Sequence, residues 1–177
     1  MRHGKTARIS LSALLVAVML ILGYVESMIP IGTIPGIKIG LSNSVLLLAL
    51  YWFGIPMTFC LMLVKVVLSS FLFSGFSAML YSLAGGLLSV TVMSVLFKIG
   101  GFSPIVIGMA GGVFHNVGQV GLAMLILETG KLVYYMAVLM LVGLGTGFAT
   151  GYIAKLLMRR LPAGLRPDSA ESPHSRQ

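Results

Sequence analysis

Seven side chains able to do polar chemistry stand where the surrounding sequence is mostly apolar: Glu26, Lys38, Asn43, Lys65, His115, Asn116 and Gln119. Lys65 lies in the middle of LMLVKVVLSS (61–70), and His115, Asn116 and Gln119 fall within GGVFHNVGQVG (111–121). Asn43 is flanked by Ser42 and Ser44, Glu26 closes the first apolar run, and Lys38 sits in the Pro/Gly-rich link that follows. A charged residue near a bilayer centre costs roughly 2.5–3.5 kcal/mol on insertion scales, so each one needs a reason. As a set they offer two cations for a negative group and three amides for oriented hydrogen bonds. They also offer an imidazole that would bind ligand or sense pH.

Structural explanations stand beside that one. Glu26 and Lys65 can form a bridge with no ligand between them. His115, Asn116 and Gln119 can be interhelical glue, worth roughly 0.6 kcal/mol each on average. Lys38 can be a solvated loop charge. The functional reading gains from density, because several such residues converge at matched depth.

Catalytic signatures are scarce. The one aspartate, Asp168, lies in the polar C-terminal tail, so no aspartate cluster can hold Mg²⁺ for diphosphate chemistry. There is no GxxxxGK[ST] loop for a nucleotide and no HExxH for zinc. The expectation is a chain that is not an enzyme and carries no cofactor or metal. Cys60 is the single cysteine and stands in an apolar run, where it reads as a small buried or lipid-facing residue.

The elements that position these residues must be membrane helices. Only 9% of residues are charged, against roughly a quarter in a soluble domain, so the outer surface must face lipid. The pattern predicts six transmembrane helices over residues 7–29, about 37–53, 57–73, 77–97, 105–127 and 132–157. The second is short for a full crossing. Pro56 suits the first turn of the third helix. The first run resembles a signal peptide, but GYVESMI (23–29) offers no small-x-small cleavage site, so it reads as a retained helix. Residues 1–161 form one six-helix domain, and 162–177 form a polar, disordered cytoplasmic tail.

The formal charge of +8 is concentrated at the ends, with Arg2, Lys5 and Arg8 at one and Lys155, Arg159, Arg160 and Arg166 at the other. Basic residues flanking apolar helices mark the cytoplasmic side, and an even helix count puts both termini there. Membrane topology and anionic lipid headgroups explain the charge without nucleic acid.

Spacing adds two packing expectations and a site. Gly108, Gly112, His115 and Gln119 share one helical stripe, with Asn116 beside it. Gly108 and Gly112, and Gly143, Gly147 and Gly151, allow close backbone approach within the bundle; Ala13 and Ala17 do the same on the first helix. On the topology above, the polar set surrounds a cavity open to the outside. The amino end of the second helix, preceded by PGIKIGLSN (35–43), is suited to a carboxylate or phosphate.

Four motifs together resemble a known family: Glu26 with Pro30 (ExxxP), PGIKIGLSN (35–43), SLAGGLLS (82–89) and HNVGQ (115–119). Over residues 10–152 the chain resembles the Gx transporter family, which also carries the label heptaprenyl diphosphate synthase component I. That family is related to the substrate-binding (S) components of energy-coupling-factor transporters. The resemblance implies a six-helix S-component bundle that binds its substrate near the outer face, beneath the loop after the first helix. It also implies docking of a transmembrane coupling subunit through an AxxxA pattern, which ALLVA (13–17) matches at Ala13 and Ala17, and a separate ATPase pair. The older label implies instead a subunit serving heptaprenyl diphosphate or quinone synthesis, which without aspartate clusters would be noncatalytic. A membrane scaffold with a purely structural polar core is the third possibility.

Overall fold

A computed structural model describes residues 2–28 and 40–161, with side chains from residue 6 onward. Lys38, Pro30, most of PGIKIGLSN and the 162–177 tail lie outside the described residues. The described chain is helical throughout: α1 (Arg2–Met28), α2 (Leu41–Phe53), α3 (Ile55–Ser69) running into a π-helical turn (Ser70–Ser74), α4 (Phe76–Ile99), α5 (Pro104–Ile126) and α6 (Leu132–Arg160).

Five of these helices, α3 counted with its π turn, are long and apolar enough to cross a membrane. Their outward faces carry large apolar side chains: Phe71 is 83% exposed, Tyr134 80% and Leu141 71%. A helix buried on one side and greasy on the other faces lipid. The chain is a membrane protein.

α2 is the exception. At 13 residues it spans about 20 Å at 1.5 Å per residue, short of the roughly 30 Å hydrocarbon core. It is instead the central strut: Leu46 to Leu50 are each 3% exposed or less, and α1, α3 and α6 pack around it. A helix that is apolar all round belongs inside a fold. Leu46–Leu50, Met19, Met62, Val90, Met93 and Ile107 form the core.

Turns between helices follow from local chemistry. α2 and α3 are separated by Gly54 alone, at φ 78°, a conformation an L side chain resists. Pro56 sits in the first turn of α3, as its missing N–H allows. At the start of α5, Ser103 accepts the Val106 N–H and Pro104 follows it.

α5 is sandwiched. A Cβ on Gly108 would lie 2.7 Å from the Gly147 carbonyl, and one on Gly118 would lie 2.7 Å from the Ala84 carbonyl. The α5–α6 glycine contacts are those expected from the four-residue spacing. The α4–α5 seam, built on Gly85, Gly111 and Gly118, was not read from the sequence.

Candidate functional site

A cavity of about 110 Å³ lies where α1 ends and α2 begins, and all six helices contribute to its wall. Glu26 comes from α1, Asn43 from α2, Lys65 from α3, and His115, Asn116 and Gln119 from α5. Six of the seven polar residues singled out from the sequence therefore line a single hollow, and the seventh, Lys38, is outside the described residues.

The first turn of α2 organises the charges. The Gly40 N–H donates to Glu26 Oε1, tying the end of α1 to the start of α2. One turn on, Lys65 Nζ donates to Asn43 Oδ1 at 2.8 Å, and the Asn43 N–H donates to the Gly40 carbonyl at 2.8 Å. Unpaired N–H groups and the positive helix end suit an anion at this position. The carboxylate found there is the chain's own: Glu26 is 5% exposed and satisfies part of that end itself. Gly40 adopts φ 81°, the left-handed region where glycine is favoured, which lets the chain turn into α2 beside the carboxylate.

α5 forms another wall, and its two neighbours set its depth. Asn116 Nδ2 donates to the Leu139 carbonyl of α6 at 2.6 Å, so its amide nitrogen bonds between helices while the side chain lines the cavity. Gly85 of α4 leaves room for His115 and Gln119: a Cβ there would sit 2.6 Å from the His115 carbonyl and 2.7 Å from Gln119 Cγ. Ser89 Oγ donates to the Gly111 carbonyl at 2.8 Å and pins α4 to α5 at the cavity wall.

Several lining residues were missed from the sequence as site residues. Ser69, Ser74, Thr146 and Thr150 face the cavity, as do the thioethers of Met19, Met62 and Met93. Hydroxyls bonded to their own helix, as in Ser69 to the Val66 carbonyl at 3.1 Å and Thr150 to Gly147 at 2.9 Å, read as ordinary helix residues. The π turn carries Phe73 and Ser74 into the wall, and Tyr24 meets the Phe73 ring edge-on with centroids 5.7 Å apart. Such turns recur at functional sites, but no simple residue pattern announces them.

Other candidates fall elsewhere. Ala13 and Ala17 are exposed on the outer face of α1, away from the cavity. Cys60 is likewise exposed on the outside of α3. Among the described residues, no three His, Cys, Asp or Glu side chains gather as a metal site would require.

Neither the curated proteins nor the solved structures yield a match to this chain. A family model described as heptaprenyl diphosphate synthase component I matches residues 15–157, which takes in every cavity-lining residue and most of the helical bundle. The chain belongs to the heptaprenyl diphosphate synthase component I family.

Proposed function

We propose that this protein is a membrane-embedded, S-component-like subunit that binds a small molecule bearing an anionic group for uptake across the cell membrane. Separate coupling and ATPase subunits would supply the energy. The observation that carries the reading is convergence: Glu26, Asn43, Lys65, His115, Asn116 and Gln119, from four helices, line one cavity. Polar side chains inside a lipid-embedded bundle are costly and cluster where substrate or ions pass. In this reading α2, though shorter than the hydrocarbon core, carries the chain back as the sixth pass within the bundle, both termini are cytoplasmic and the cavity faces outward. Ala13 and Ala17, exposed and four residues apart, suit close approach by a coupling subunit.

A second reading is favoured by the family's description: a noncatalytic membrane partner of a heptaprenyl diphosphate or quinone-synthesis enzyme. Affinity purification of the full chain in mild detergent separates the two, with native mass spectrometry of what it retains. Transport predicts a retained small molecule, together with ATPase and coupling subunits lost on Ala13→Leu or Ala17→Leu. A soluble prenyl synthase as the stable companion, with an empty cavity, would replace the first reading by the second.

A further inference from the structure

The charges on the cavity wall say what kind of molecule fits it. Among the described lining residues the permanently charged groups are one carboxylate, Glu26, and one ammonium, Lys65. They come from different helices, yet both are bonded to the same turn of α2, Glu26 to the Gly40 N–H and Lys65 to Asn43 Oδ1. Gly40 and Asn43 are themselves joined by a backbone hydrogen bond, so both charges are anchored to the first turn of α2. These two permanent charges sum to zero. In a low-dielectric site, a ligand with a net charge of either sign brings in a charge that the wall does not balance. A dipolar ligand meets both wall charges at once.

The apolar part of the wall narrows the class. Phe73 and the His115 imidazole are the ring side chains among the described lining residues, and the Phe73 ring is already engaged edge-on by Tyr24. The remaining apolar wall is thioether and aliphatic, from Met19, Met62, Met93, Leu46 and Leu47, around a hollow of about 110 Å³. Methionine conforms to short, irregular aliphatic groups.

We infer that the cavity takes a small aliphatic zwitterion of the α-amino-acid class, its carboxylate met by Lys65 and its ammonium by Glu26. This rests on the substrate-binding reading above and adds the class of ligand.

The test uses the full chain in detergent and three probes sharing one carbon frame: L-valine, isovalerate, which lacks the ammonium, and isobutylamine, which lacks the carboxylate. L-valine is expected to bind at least tenfold more tightly than either. Glu26→Gln, which keeps an acceptor for Gly40, is expected to shrink the preference over isovalerate by tenfold. Lys65→Met is expected to shrink the preference over isobutylamine similarly. Melting curves establish that each variant is folded; where one is not, the three-probe comparison on the unaltered chain decides alone. Equal binding of isovalerate and L-valine overturns the zwitterion, as does a retained net anion or flat heteroaromatic; either leaves the substrate-binding reading standing. No retained molecule and no binding of any probe overturns both.

Discussion

Lys65 and Asn43 illustrate how little a single side chain decides alone. Lys65 stands in the middle of an apolar span, and its ammonium is tolerated because α2 offers Asn43 Oδ1 at 2.8 Å. Asn43→Ala removes that acceptor and is expected to destabilise the fold by about 1.5–3 kcal/mol, the range for a hydrogen bond to a charged group. Thermal unfolding in detergent would read the loss, and an unchanged melting point would mean that other groups carry the ammonium. Asn116→Ala should cost far less, about 0.6 kcal/mol, because its recorded partner is a helix carbonyl of α6 and such interhelical bonds are weak in membranes. The polar set was legible residue by residue, since each member broke an apolar run. What those residues touch was not. For Glu26 the structure adds the Gly40 N–H, through a turn whose backbone conformation no residue pattern specifies.

At the scale of the helix, glycine decides how close two backbones come. Gly112 faces α6 so closely that an added Cβ would collide with the Gly143 carbonyl, whereas Gly145, on the same helix as Gly143, has nothing within 4 Å. Gly112→Ala is therefore expected to cost about 1–3 kcal/mol through overpacking. Gly145→Ala should fall within about 0.5 kcal/mol of neutral, as surface substitutions do. Melting both variants side by side checks the contrast; equal effects would mean that the α5–α6 contact is looser than described. Helix existence was legible from apolar length, and five of the six helices reach membrane-spanning length. α2 was marked short from the outset, but its role as the buried centre was not, because a run apolar on every face does not say whether lipid or protein surrounds it.

For the whole molecule, the orientation expected from terminal charge makes a direct prediction. In a background with Cys60→Ala, Lys131→Cys should react with a membrane-impermeant thiol reagent on intact cells. Lys98→Cys should react only after permeabilisation. The reverse pattern, or both residues on one side, would end the outward-facing reading of the cavity. Hydropathy alone determined that this chain lives in a bilayer, because with 9% charged residues it has too few to cover a water-facing surface. Helical spacing likewise determined that Gly108 and Gly112 share a stripe with His115 and Gln119, since a period of 3.6 residues is a local property of the backbone. Only the tertiary structure decided that α1, α2, α3 and α5 turn their polar residues toward one hollow, and that α2's first turn joins a carboxylate to an ammonium. Those relations join residues 14 and 22 positions apart in the chain. They depend on how helices pack, and packing is set by side chains from several segments at once.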